Sequence, residues 1–226
     1  MSSRTTKILK LFTIGLIPIL IIITTVRLLA TDQYLAFEYG KDSFPPDSFG
    51  FTQQQRFDLA SSNIHYVRAH LPDNALSNQV LNGAAVYSSR EASHMADVRA
   101  VFQAIFQVWQ VTVVLFLLTG SILWQKRELQ TLGSAIQWGG LLTSSIVLFI
   151  GLSAIFAWQS WFGTFHLFFF EPGSWLFSYS DTLIRLFPVE FWFDATMAIS
   201  ILSLAGGFLL ALIGWQGKRV LLEKQA

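Results

Sequence analysis

REASHMADVRAVFQAIFQVWQVTVVLFLLTGSILWQKRE, residues 90–128, joins the two kinds of sequence from which this chain is built. Val101–Trp124 is apolar and carries no charged residue, and it exceeds the roughly 20 residues needed to cross a bilayer as a helix. Residues 90–99, just before it, hold two acids, two arginines and a histidine. The whole chain has only 4 His and 13% charged residues. Just after the apolar run, QKRELQTL forms a short charged turn. The apolar run predicts a membrane-spanning helix. The charged knot at its mouth calls for a separate explanation.

Working outward, the same pattern recurs. The chain has 226 residues, 53% of them hydrophobic, with 21 Phe and 8 Trp, which is the composition of an integral membrane protein. Four spans are predicted at about 8–30, 101–124, 133–158 and 195–216. The first follows Arg4, Lys7 and Lys10 and so has the layout of a signal peptide. Its apolar run is too long for a signal core and Leu28-Leu29-Ala30 is a poor cleavage site, so a retained span is expected, with Pro18 as a candidate kink. The basic start, the turn carrying Lys126 and Arg127, and the tail with Lys218, Arg219 and Lys224 fall on one side of four spans. The positive-inside rule makes that side cytoplasmic, with both termini. The expected fold is an all-α integral membrane protein, a single membrane domain over 1–226. It carries an extracytoplasmic cap insert at 31–100 and an aromatic-rich outer loop at 159–194.

Composition also excludes several chemistries. No cysteine is present, which removes thiol catalysis, disulfides and cysteine-ligated metals. A net charge of +1 argues against a nucleic-acid partner. Within the cap, Phe57, Ala60, Ile64, Val67 and Leu71 recur at helical spacing and predict an amphipathic helix, after a turn-rich FPPDSFGFT. NQVLNGAAVYSSR reads as a loop or short strand, and His65 and His70 as ordinary surface residues. In the outer loop, Glu171-Pro172-Gly173 is a turn, and Asp181–Phe187 a short helix ending before Pro188. Gly139, Gly140 and Gly151 suit close helix packing.

On a helix, Glu91, His94 and Asp97 share one face, flanked by Arg90 and Arg99. His94 lies just before the second span and His166 just after the third, which topology places on the same outer side. A solvated collar with an anchoring histidine is the plain reading of such a knot. Polar groups at membrane depth are costly, however, and are usually paired or functional. Two interfacial histidines fit acid–base acyl transfer, since an imidazole exchanges protons near neutrality. They also fit metal or haem ligation with Glu91, Asp97 and Glu171, although no His-Glu-x-x-His pattern occurs. Hydrolysis by a serine among 88, 89, 93, 174, 178 and 180 would lack a Gly-x-Ser-x-Gly elbow.

REASHMADVR at 90–99, FHLFFFEPGSW followed by DTLIRLFPVEFW between 165 and 192, and GFTQQQRFDLASSNIHYV in the cap together resemble a family of small bacterial four-span membrane proteins. That family includes lipoprotein intramolecular transacylases. The resemblance covers essentially the whole chain. It implies four spans under an extracytoplasmic cap in the bacterial cytoplasmic membrane. It also implies an activity that moves an acyl chain from the sn-2 glyceryl oxygen of a diacylated lipoprotein to the amine of its N-terminal cysteine. Two histidines carry that reaction, and here they match His94 and His166. The substrate would be a diacylated bacterial lipoprotein embedded in membrane lipid, with no metal or other cofactor. Glu91 or Asp97 would orient His94, Arg90 would hold a carbonyl or oxyanion, and Phe165, Phe168, Trp175, Phe191 and Trp192 would confine the lipid. The rival readings are a metal- or haem-binding membrane enzyme and a noncatalytic interaction protein.

Overall fold

A computed structural model describes residues 2–223; Lys224 lies outside them. In chain order the elements are α1 (Ser3–Leu29), α2 (Asp32–Tyr39), α3 (Gln53–Val67), β1 (Val80–Leu81), β2 (Ala84–Ala85), α4 (Ser89–Gln125), α5 (Leu129–Phe169), α6 (Thr182–Leu186) and α7 (Val189–Glu223). Among the described residues, α1, α4, α5 and α7 are long and apolar enough to cross a membrane. The protein is therefore all-α with four spans, as the sequence predicts, and the sheet among the described residues is one two-stranded ladder.

The helices outrun the predicted spans. α4 starts at Ser89, so the whole charged knot is helical and continuous with the span behind it. α5 runs through what reads in sequence as the start of a loop and ends only at Phe169. It bends at Ala157, whose φ of −144° and ψ of 46° are non-helical, so Trp158–Phe169 takes a new direction. α7 begins directly after Pro188, whose ring cannot continue a preceding helix. The hydropathy of a segment marks where lipid is crossed; the helix continues wherever its backbone hydrogen bonds do.

The chain divides into two compact units. The first comprises residues up to Val26, Phe106–Leu152, and residues from Met197 on. It is built on small residues. A Cβ placed on Gly140 would lie 2.3 Å from the carbonyl oxygen of Gly207 and 2.7 Å from the amide nitrogen of Ala211, so α5 and α7 touch backbone to backbone there. Hydroxyls add short bonds, such as that of 2.8 Å between Thr25 and Ser203 and that of 2.9 Å from Trp109 Nε1 to Thr24. Close approach and interhelical hydrogen bonds hold helices together where lipid supplies no hydrophobic drive.

The second unit comprises Arg27–Ile105 and Ser153–Thr196. Its helices are defined by their ends. Thr52 and Gln55 form a reciprocal capping box at the start of α3. α3 stops at Val67, short of Leu71, because Ala69 turns to a φ of 62°. Its buried face is Leu59, Ala60, Ile64 and Val67, joined by the polar Arg56 and Asn63. Asn82-Gly83, both at positive φ, close the hairpin between β1 and β2, as Asn-Gly favours.

Polar side chains tie this unit to backbone carbonyls. Arg56 is only 5% exposed; its Nε and Nη2 donate to the Arg185 carbonyl and its Nη1 to that of Pro45. Arg68 donates to the Ala30 carbonyl just past α1, and Tyr39 to that of Leu186. Arg185 forks onto Asp47 at 2.9 and 3.0 Å. Burial alone would raise the Asp47 pKa. The guanidinium, with the N–H groups of Phe51 and Phe49, outweighs that and lowers it to about 2.

Candidate active site

The first turns of α4 and the redirected end of α5 bring His94 and His166 to one aromatic cluster. His94 is 9% exposed, and its ring meets Phe170 edge-on at 5.0 Å and Phe177 at 5.4 Å. The His166 ring lies 5.8 Å from the same Phe170, 4.0 Å from Phe162 and 4.6 Å from Trp175. Phe170 is thus shared by both imidazoles. Phe162 and His166 stack at four-residue spacing on one face of α5, and Phe170, just past its end, continues that spacing through its N–H bond to the His166 carbonyl.

The two imidazoles are held differently. His166 Nδ1 lies 2.8 Å from the Phe162 carbonyl oxygen. A carbonyl only accepts, so Nδ1 carries the proton, and in the neutral ring Nε2 keeps its lone pair free to take another. His94 Nδ1 is buried with no hydrogen-bond partner, as is the indole Nε1 of Trp175. Buried polar atoms are almost always bonded, and two that are not lie at this histidine pair; Tyr34 Oη, Glu38 Oε2 and Asn63 Oδ1 are others in the same unit. Neither imidazole forms an ion pair with a carboxylate among the described residues, where the histidine pair of that kind is His65 with Asp32. Those residues also contain no group of three or more His, Cys, Asp or Glu that could hold a metal ion.

None of the residues expected to support His94 hydrogen-bonds its ring, though Asp97 and Arg90 lie near enough to act on it by charge. Glu91 is 3% exposed, but one carboxylate oxygen accepts from Ser88 N–H and Oγ–H, at 2.8 and 2.9 Å, and the other from Leu183 N–H at 2.9 Å. It caps the beginnings of α4 and α6 and makes no hydrogen bond to the imidazole. The reason is positional. At the first turn of a helix a carboxylate finds unpaired backbone donors. Asp97 is exposed and makes no hydrogen bond to His94. Arg90 is fastened to the outer loop. Its Nη2 donates to the Gly173 and Leu176 carbonyls and its guanidinium lies 5.0 Å over Phe177, pinning the loop that carries Trp175 and Phe177.

The expected aromatic pocket divides in the same way. Trp175 and Phe165 stand against His166, Phe165 at 5.4 Å. Phe168 is 80% exposed and packs on Phe169. Phe191 is buried among Tyr34, Phe187 and Trp192, in the core of the second unit and not beside the histidines. Sequence reasoning missed Phe162, Phe170 and Phe177. The first two were within reach, because four-residue spacing from His166 names them once residues 159–169 are read as helix and the last turn is carried on to Phe170.

The model of the family described as lipoprotein intramolecular transacylase Lit matches residues 11–192. An uncharacterised protein of Aquifex aeolicus (strain VF5) is 29% identical over 224 residues, covering 97% of this chain and 99% of that relative. The solved structure of the membrane-integral lipoprotein intramolecular transacylase Lit from Bacillus cereus shares the fold, with a TM-score of 0.78 and 20% identity over 99% of both chains. Two more structures of that protein, with one histidine replaced by arginine or alanine, match with TM-scores of 0.67 over 98% of this chain and 94% and 96% of theirs. With the family model covering most of its length, this chain belongs to the Lit family of lipoprotein intramolecular transacylases, which are membrane-integral acyltransferases.

Proposed function

We propose that the His94–His166 cluster is where the acyl chain moves, from the sn-2 oxygen of a diacylglyceryl lipoprotein to its N-terminal cysteine amine. One observation carries this: two imidazoles share Phe170, and His166 is locked with Nε2 as its proton acceptor. The reaction removes one proton from the attacking amine and delivers one to the departing glyceryl oxygen. His166 Nε2 takes the first without changing tautomer, because its Nδ1–H stays on Phe162. The resulting cation lies 4.6 Å from the indole of Trp175, a favourable cation–π distance. The proton that His166 takes is returned through the imidazole pair to the departing glyceryl oxygen.

Ester and amine belong to one substrate, so the enzyme needs no nucleophile of its own. Its task is to fold the lipopeptide until the amine meets the carbonyl. Holding reacting groups together contributes up to about 7–11 kcal/mol in ideal cases. The aromatic rings around both imidazoles keep out the water that would hydrolyse the ester.

Orientation follows from charge. The basic start, turn and tail lie in the cytoplasm, and the histidines on the opposite side of the cytoplasmic membrane, where lipoproteins and membrane lipid meet them. Because the chain has no cysteine, a single Ser77→Cys is expected to label with a membrane-impermeant thiol reagent from outside.

The deciding experiment is mass spectrometry of N-terminal lipopeptides from cells expressing the protein or its variants. Wild type should yield an isomer of equal mass with one chain on nitrogen, and His94→Ala and His166→Ala should not. Conversion that survives both changes would overturn the two-histidine mechanism.

A further inference from the structure

Acyl transfer builds negative charge on the carbonyl oxygen, and that charge calls for a hydrogen-bond donor. Arg90 was the expected one, and its Nη2 is spent on two loop carbonyls. Both imidazoles are occupied with proton transfer. A buried donor stands beside His166. Trp175 Nε1–H is buried without a partner, and its ring is 4.6 Å from that of His166 and 6.2 Å from that of Phe162.

An indole N–H can only donate, and a buried donor with no acceptor is costly to fold. Tryptophan is therefore a poor choice for this position as packing alone, since phenylalanine would supply an aromatic ring without the orphan. The cost is recovered if an acceptor arrives with the substrate. Trp175 also sits in a loop that is fastened for its task. Arg90 clamps the loop at Gly173 and Leu176, on either side of the indole, and Ser174 Oγ–H donates to the Glu171 carbonyl at 2.9 Å. A donor held this way is preorganised, which is what electrostatic stabilisation of an oxyanion requires.

We infer that Trp175 Nε1–H is the oxyanion donor of this enzyme, hydrogen-bonding the oxygen of the sn-2 ester carbonyl as the amine attacks. This rests on the histidine reading above. In the step itself, the amine lone pair forms a C–N bond to the carbonyl carbon and the C=O π pair moves to oxygen, where the indole N–H receives it. The proton leaving nitrogen goes to His166 Nε2. As the C=O bond re-forms, the C–O bond to glycerol breaks and the glyceryl oxygen takes back, through the imidazole pair, the proton that His166 accepted, which returns both rings to their neutral form. Arg90 acts through the loop, as a positioning residue.

The test is conversion of a synthetic diacylglyceryl lipopeptide by purified full-length protein in detergent, followed by mass spectrometry. Trp175→Phe keeps an aromatic ring and removes the N–H. It should lower kcat by about 10²-fold with KM nearly unchanged, the usual cost of one oxyanion donor. Replacing Trp175 alone with benzothienylalanine, which exchanges N–H for sulfur in a ring of the same shape, should give the same loss and serves if Trp175→Phe does not fold. Either variant, folded and with kcat within about twofold of wild type, overturns the inference. His94→Ala and His166→Ala run in parallel: activity in both sinks the histidine reading, and activity in the Trp175 variants alone sinks only the donor.

Discussion

Gly140 and Arg56 make their contacts in opposite ways. At Gly140 two helix backbones meet because there is no side chain to part them. At Arg56 a long buried side chain reaches three backbone acceptor contacts that no helix ladder satisfies, on the Arg185 and Pro45 carbonyls. The first unit repeats the Gly140 pattern at Gly214 against the Gly133 and Gln137 backbone. The second repeats the Arg56 pattern at Arg68, Arg90 and Glu91. The difference follows from the backbone. Long regular helices satisfy their own hydrogen bonds and need only to approach. Short helices, turns and a two-residue ladder leave carbonyls and amides that side chains must pair.

This contrast can be broken most severely at Gly140. Gly140→Val sets a side chain against backbone atoms that cannot move aside. It should destabilise by about 3 kcal/mol or more, read as a large fall in thermal midpoint in detergent or as loss of folded protein. Gly120, where a Cβ would meet nothing within 4 Å, should tolerate the same change. Next comes Glu91→Ala, which strands the Ser88 and Leu183 amides and should cost about 2–3 kcal/mol. Glu91→Gln should recover part of this, as a capping role demands.

Asp47 sharpens the comparison through pH. Its pKa is depressed to about 2, so its contribution is complete above the ordinary value of 3.8 and lost as pH falls through about 2. Asp47→Asn should therefore cost about 2 kcal/mol at pH 7, with the gap from wild type closing toward pH 2. A constant gap across that range would show that the carboxylate charge is not what holds Arg185. The smallest effect is expected at Asp97→Asn. Exposed and making no hydrogen bond to His94, this residue should leave turnover within about twofold of wild type, the opposite of what an orienting carboxylate would show.

The sequence by itself determined the number and rough position of the spans, the amphipathic cap helix and the two histidines worth examining. Hydropathy and helical periodicity are local properties, written in runs of neighbouring residues such as Val101–Trp124. It could not say where the helices end. A helix stops where its backbone bonds stop, and α5 passes Trp158 into residues that read as a loop. Nor could it assign partners. Glu91 stands three residues from His94, yet nearby backbone amides and Leu183, from α6, claim its carboxylate. Phe177, eleven residues beyond His166, reaches His94 only because the loop after α5 turns back. Which polar group meets which is a question of distance in space, and only the tertiary structure supplies it.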